Sequence, residues 1–156
     1  ANIMTSGKNL CPFCRAPAPT DEENTKRIMK RVDMGDARAI QKLACYYSEG
    51  DRGLPLDHAK ALELWHRAGE LGNANSYCNI GYAYFNGEGV ARDEKKAKHY
   101  YELAAMGGDE PARHNLGCTS GNMDRALKHF MIAVEGGDHD SLKTIQRMCS
   151  KGYVTR

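Results

Sequence analysis

Apolar positions in the middle of the chain recur at helical spacing, and the pattern is repeated further along. Leu43 and Tyr47 lie four residues apart, and Ile80 and Tyr84 repeat that pair 37 residues later. Apolar residues three or four positions apart predict an amphipathic helix. Recurrence of one stripe at a fixed period predicts an array in which each unit buries its apolar face against a neighbour.

A second apolar stripe follows the first in each period. Ala61 and Trp65 correspond to Ala97 and Tyr101, which lie 36 residues later. Asp93 precedes this stripe, at the position where a short oxygen acceptor satisfies free amides at a helix start. Each period therefore predicts two helices, and the chain as a whole predicts an all-α fold of about seven helices in antiparallel pairs, with no sheet.

The period divides the chain into units. We predict repeat 1 at 35–71, repeat 2 at 72–107, a shortened repeat 3 at 108–136 and a partial repeat 4 at 137–156. The small residues Gly81 and Gly117 are expected to let paired helices approach closely. About seven residues are missing between Gly117 and Ala126, and Ser120 stands where repeat 2 has Tyr84. Since the stability of an array is roughly a sum over units and their interfaces, repeat 3 is expected to be its weak point.

Residues 20–34 predict one further helix. Thr20 and Glu23 form a capping-box pattern at its start, and Ile28 and Val32 lie on one apolar side. The opposite side is basic, with Lys26, Arg27, Lys30 and Arg31. We interpret this segment as a capping helix that packs on repeat 1, in preference to a basic patch for nucleic acid.

Composition narrows the function classes. The chain is 41% hydrophobic and 27% charged, with a formal net charge of +2. This charge predicts no strong field for nucleic acid, and no apolar run is long enough to span a membrane. Because the chain begins at Ala1 and ends inside a repeat, we expect it to be a fragment of a longer protein.

The pattern between Ser76 and Gly108 resembles the Sel-one-like repeat family, a relative of the tetratricopeptide repeats. The residues that support the resemblance include Gly-x-Gly-Val at 87–90, Lys-Ala at 96–97, Tyr-Tyr at 100–101 and Ala-Ala at 104–105. The resemblance extends over about residues 35–150. It implies a right-handed solenoid of antiparallel helix pairs whose concave face binds partner proteins, and it implies no enzymatic activity.

The same resemblance implies which side chains line the groove. In tetratricopeptide-like pairs the first helix lines the concave face, with groove positions two residues before, two after and five after the conserved leucine. In this chain those positions are Gln41, Cys45, Ser48, Cys78, Tyr82, Phe85, His114, Cys118, Lys143, Arg147 and Ser150. Tyr82 and Phe85 then suit an apolar anchor of a bound peptide, while Lys143 and Arg147 suit its acidic end. The alternative is that these side chains contact only solvent or a neighbouring repeat.

The segment Cys11-Pro12-Phe13-Cys14-Arg15 near the start resembles the final cysteine pair of RING-type zinc modules. Two thiolates spaced in this way occupy two of the four positions around a tetrahedral zinc ion, and no Cys or His precedes Cys11. We therefore interpret residues 1–19 as the poorly ordered, truncated end of such a module, with an incomplete metal site at Cys11 and Cys14. The resemblance implies zinc in the full-length protein and a ubiquitin-conjugating enzyme as a partner. The alternative is a redox-inactive tail.

The remaining cysteines are Cys45, Cys78, Cys118 and Cys149, one in each repeat and none in a close pair. We expect them to be small buried or groove-lining side chains. Secreted proteins with similar repeats use two cysteines per repeat to form a disulfide, and that spacing is absent here. This favours the reducing cytoplasm, or the nucleus.

Three functions from different classes remain open. The first is a scaffold for protein–protein interaction, which binds a protein or peptide and neither nucleic acid nor membrane. The second is the substrate-recognition arm of a RING-type ubiquitin ligase, and the third, which the cysteine spacing disfavours, is a hydrolase. The sequence has no catalytic motif, and no cofactor is expected in this part of the protein.

Overall fold

The computed structural model describes residues 20–151, and every regular element in that range is an α-helix. The helices are α1 (Asp21–Asp33), α2 (Ala37–Glu49), α3 (His58–Glu70), α4 (Ala74–Asn86), α5 (Glu94–Met106), α6 (Glu110–Thr119), α7 (Met123–Glu135) and α8 (His139–Ser150). Residues 20–151 contain no strand, which confirms the predicted all-α class. The seven helices α2–α8 agree with the count of about seven expected for the repeats, and α1 is the further helix predicted within residues 20–34.

Side chains at the helix starts explain where the elements begin. The Thr20 hydroxyl accepts a hydrogen bond from the Glu23 amide at 3.2 Å, and the Glu23 carboxylate accepts one from the Thr20 amide at 2.9 Å. The Asp93 carboxylate accepts from the backbone amides of Lys95 and Lys96, at 3.0 Å in each case. The predicted capping box and the predicted cap at Asp93 are both confirmed, since local sequence alone satisfies these amides.

Paired helices approach closely where the first helix has a glycine. A Cβ atom on Gly81 would lie 2.7 Å from ring atoms of Tyr101, and one on Gly117 would lie 2.4 Å from the ring of Phe130. Both rings are buried. The predicted role of the two glycines is confirmed, because no larger residue leaves room for the ring of the second helix.

The apolar side of α1 completes the core of the first repeat. Ile28 and Val32 are buried in one cluster with Ile40 and Leu43 of α2. The cluster continues through α3 into α4, where it includes Ile80. The capping helix thus covers apolar surface that a terminal repeat would otherwise expose to water.

The third repeat has a shorter first helix and a shorter connection than the second repeat. Helix α6 has 10 residues where α4 has 13, and only residues 120–122 connect α6 to α7. The buried cluster at this end contains Ala126, Phe130 and Met148, with Leu127 and Ile145 packed beside it. Fewer large side chains are therefore buried here than around the first two repeats.

Candidate partner-binding face

Consecutive first helices are joined by hydrogen bonds between side chains. Gln41 of α2 donates through Nε2 to Oδ1 of Asn75 in α4 at 3.0 Å. Asn75 donates through Nδ2 to Oδ2 of Asp109, the cap of α6, at 3.1 Å. We name the surface formed by α2, α4, α6 and α8 on this side the first-helix face. A row of amide and carboxylate groups crosses three repeats along it.

His114 continues the contacts from α6 to α8. Its Nδ1 atom lies 2.8 Å from the Ser141 hydroxyl and 3.3 Å from Oδ2 of Asp138, and its Nε2 atom lies 3.5 Å from the Cys118 sulfur. Burial alone would raise the pKa of Asp138. The hydrogen bonds that its carboxylate accepts from Ser141, together with the electrostatic effect of nearby His114, outweigh burial and hold this pKa below its ordinary value. His114 therefore joins repeats 3 and 4 and is only half-exposed.

Two predicted groove cysteines lie at the base of the face. Cys78 is 6% exposed, and Asn115 of α6 donates to its sulfur at 3.5 Å. Burial, reinforced by the nearby Asp109 carboxylate, raises the pKa of the Cys78 thiol to about 12. Cys45 is partly buried, accepts from Gln41 at 3.2 Å, and also has a pKa raised chiefly by burial. Of the two alternatives expected for these cysteines, Cys78 fits the buried one, because its thiol is packed between α4 and α6.

The predicted aromatic anchors differ in exposure. Tyr82 is 52% exposed and is the only aromatic residue among the exposed large hydrophobic side chains of residues 20–151. Phe85 is half-buried, and the guanidinium carbon of Arg92 lies 5.5 Å from the centre of its ring. Tyr82 therefore offers the more accessible apolar surface, while Phe85 is partly covered.

The two predicted cations differ in whether a carboxylate of the same protein already pairs with them. Lys143 is paired with Asp140 on the same helix, with the nitrogen and oxygen 2.9 Å apart. Arg147 donates to the Thr144 hydroxyl at 3.2 Å and has no carboxylate partner within residues 20–151. Arg147 is therefore the cation that remains available to pair with an acidic side chain of a partner.

The hydroxyl groups of the two predicted serines bond within their own helices. Ser48 donates to the Cys45 carbonyl oxygen and Ser150 to that of Arg147, at 2.9 Å in each case. These bonds leave each hydroxyl oxygen able to accept a further hydrogen bond. Ser48 is half-exposed and Ser150 exposed.

Sequence reasoning missed the asparagines of the face. Asn79 donates through Nδ2 to Oδ1 of Asn75 at 3.4 Å, and Asn115 contacts Cys78 as described above. A signal was present, because Asn79 and Asn115 are 36 residues apart, each directly before the conserved apolar residue of its repeat. The family pattern assigns three groove positions to each helix, and these asparagines fall outside them.

Metal and membrane sites receive no support from the part of the chain that the structure describes. Within residues 20–151, no three or more His, Cys, Asp or Glu side chains are grouped to hold a metal ion. Cys11 and Cys14 lie outside the described residues, so the predicted zinc site stays a prediction. Each helix of residues 20–151 is too short or too polar to cross a bilayer.

Comparisons with known proteins agree with this architecture. Residues 37–73 and 74–109 match the Sel1 repeat family. A stretch of 98 residues, 62% of the chain, is 34% identical to the ERAD-associated E3 ubiquitin-protein ligase component HRD3B of Arabidopsis thaliana, and it covers 15% of that relative. The chain therefore spans less than a fifth of the length of this relative.

Solved structures show the same fold. The crystal structure of a Sel1 repeat protein from Oxalobacter formigenes superposes with a TM-score of 0.77 at 28% identity, covering 84% of this chain and 56% of the other. The protective antigen c5321 of uropathogenic Escherichia coli, described as having an SLR fold, gives a TM-score of 0.78 at 22% identity, with 87% and 30% covered. Residues 37–109 of this chain therefore match two Sel1 repeats, and they lie within an all-α solenoid of antiparallel helix pairs.

Proposed function

We propose that this chain is a protein-interaction scaffold that binds an extended segment of a partner protein along the first-helix face. Sel1 repeats act as protein-interaction scaffolds. The observation that most supports the proposal here is the hydrogen-bonded row Gln41–Asn75–Asp109, with the exposed ring of Tyr82 on the same face.

The chemistry of that row suits a polypeptide backbone. An amide side chain has two donor hydrogens and an acceptor oxygen. Gln41 donates to both Asn75 and Cys45, so its carbonyl oxygen remains to accept, while Asn75 keeps one donor hydrogen beyond its bond to Asp109. An extended partner has unpaired N–H and C=O groups along its length, and such segments follow grooves by main-chain hydrogen bonds with side-chain anchors. Tyr82 is the proposed apolar anchor and Arg147 the proposed contact for an acidic end.

The experiment selects peptides from a random display library on the purified chain and measures their affinity for variants. Replacing Tyr82 by Ala should cost about 1–2 kcal/mol of binding free energy, since exposed aromatic anchors dominate such interfaces. Met106→Ala is the matched control, because Met106 is an exposed apolar residue at the end of a second helix. Equal affinity for wild type and Tyr82→Ala would overturn the proposed anchor.

A second candidate function, the substrate-recognition arm of a RING-type ubiquitin ligase, has two specific observations in its favour. A relative at 34% identity is described as a ubiquitin ligase component, and Cys11 and Cys14 resemble the last ligands of a RING-type zinc module. In this case zinc and a ubiquitin-conjugating enzyme belong to the full-length protein, and the proposed location is the cytoplasm or nucleus.

The test of this second candidate is co-purification of the tagged full-length protein from cells, scored for ubiquitin-conjugating enzymes and ubiquitin conjugates. The control is the double variant Cys11→Ser/Cys14→Ser, which removes both thiolates and leaves the solenoid sequence intact. Loss of both signals in the variant is the expected result. Equal signals from both proteins would exclude a role for this cysteine pair.

A further inference from the structure

A basic cleft lies between α1 and α2, at the opposite end of the array from Arg147. It has a volume of about 300 Å³ and is lined by four cationic side chains, those of Arg27, Arg31, Lys42 and Arg52, together with Tyr46. No acidic side chain lines it. Cationic side chains of α1, of α2 and of the segment after α2 thus meet in one concave site.

The four cations are neutralised unequally. Arg31 donates to Oδ2 of Asp36 through Nε at 2.9 Å and Nη2 at 2.6 Å, and Arg52 pairs with Asp21 and Asp51. Arg27 and Lys42 have no carboxylate partner within residues 20–151, and both are exposed. Two cationic side chains therefore line the cleft without a salt-bridge partner within residues 20–151, one from each helix.

Tyr46 adds a hydroxyl group to the wall of the cleft. Most of the residue is buried, at 9% exposure, but its hydroxyl oxygen reaches solvent and forms no hydrogen bond within residues 20–151. The guanidinium carbon of Arg52 lies 5.9 Å from the centre of its ring. The hydroxyl can therefore bond to water, and an acceptor that enters the cleft can take the place of that water.

We propose that this cleft binds an acidic segment of a partner protein through its carboxylate side chains. Carboxylates are acceptors only, and they match both the forked guanidinium of Arg27 and the unpaired hydroxyl of Tyr46. Nucleic acid fits less well, because the net charge is only +2 and Tyr46 is too buried to stack on a base. The site is separate from the first-helix face and does not depend on what binds there.

The experiment measures fluorescence anisotropy of a labelled octaglutamate peptide titrated with the whole chain. We expect saturable binding that weakens as salt is added, because the contacts are between exposed charges. The variant Arg27→Glu/Lys42→Glu should lower the affinity by about tenfold or more, and Tyr46→Phe should lower it about two- to fivefold by removing one hydrogen bond.

The matched control is Lys95→Glu/Lys128→Glu, which changes the net charge equally at exposed positions of α5 and α7. It should reduce the affinity much less than the cleft variant, and circular dichroism should show all variants folded. The milder pair Arg27→Gln/Lys42→Gln replaces the first variant if charge reversal disturbs the fold. The proposal is overturned if octaglutamate does not bind, if the control weakens binding as much as the cleft variant, or if oligouridine binds more tightly and displaces the peptide.

Discussion

The ring of Tyr101 lies directly against the backbone of Gly81, so that a Cβ atom at residue 81 would lie 2.7 Å from Cδ1 and Cε1 of the ring. This contact joins the two helices of repeat 2 at their closest approach. The nearest backbone atom to that Cβ is the Ala97 carbonyl oxygen at 3.1 Å, so neither the ring nor the facing helix leaves space for a methyl group.

Replacing Gly81 by Ala should therefore destabilise the fold even though Ala favours helices. We expect a loss of about 1–3 kcal/mol in the free energy of unfolding, the usual range for overpacking a tight core. The measurement is chemical denaturation followed by circular dichroism. Gly121→Ala is the control, since a Cβ there meets nothing within 4 Å, and a similar loss in both variants would contradict the argument.

Ile80 and Tyr82 should respond in opposite ways to truncation. Ile80 is fully buried, and Ile80→Ala should cost about 2–5 kcal/mol of stability because it removes apolar contacts and leaves a cavity. Tyr82 is half-exposed, so Tyr82→Ala should change stability by less than about 1 kcal/mol. Thermal melts of both variants measure this difference in stability. Unfolding of Tyr82→Ala would mean that Tyr82 is a core residue and that the first-helix face has been assigned to the wrong side of α4.

Hydrogen exchange should show that residues 117–151 open more readily than residues 60–105. Helix α6 is short, and in place of the Tyr84 ring stacked on Tyr100 at 5.6 Å the third repeat has Ser120. In a repeat array, a unit with fewer buried contacts also loosens its neighbour. Equal protection of the two stretches would show that the short turn at 120–122 packs as well as the longer loop of repeat 2.

The four described cysteines should react with a thiol reagent in the order of their exposure. Cys118 is exposed, Cys45 and Cys149 are partly buried, and Cys78 is buried. Burial raises the pKa of Cys78 to about 12, so almost no thiolate exists at pH 8. Alkylation by iodoacetamide, read at each site by mass spectrometry, should modify Cys118 first and Cys78 last. Faster labelling of Cys78 than of Cys118 would place Cys78 on the open surface.

Asp138 should make the end of the array sensitive to acid. Its pKa is lowered in the folded state, so its stabilising contribution is fully present above the ordinary value of 3.8 and is lost as the pH falls through the lower folded pKa. Asp138→Asn keeps an oxygen that can cap α8 and removes the titrating charge. Hydrogen exchange of α8 measured from pH 5 downward should show a steeper loss of protection in wild type than in this variant. Identical pH profiles of wild type and Asp138→Asn would show that Asp138 does not cause the acid sensitivity of α8.

Much of the fold follows from the sequence because its determinants are local. The stripe that contains Ile80 and Tyr84 predicts a helix, and the caps at Thr20 and Asp93 fix helix starts through residues two or three positions away. The glycines at 81 and 117 also predict close helix pairs, since their position repeats with the period. Helix α1 lies outside that period, but its capping box and its apolar side are local features that also predict it.

The candidate surfaces could be predicted from the sequence only in part. Their positions follow from the repeat, which places Tyr82 and Arg147 on first helices, but exposure and pairing depend on the neighbouring helix. Tertiary packing buries Cys78, brings Arg92 over Phe85 and pairs Lys143 with Asp140.

The sequence by itself thus determined the helices, their pairing and the repeat, because these depend on contacts within one unit and on a period visible in the chain. Only the tertiary structure decided which side chains remain available to a partner. The row Gln41–Asn75–Asp109 and the cleft of Arg27, Lys42 and Tyr46 each form between side chains of different helices. Such contacts depend on the distance and rotation between packed helices, which a repeat pattern leaves unspecified.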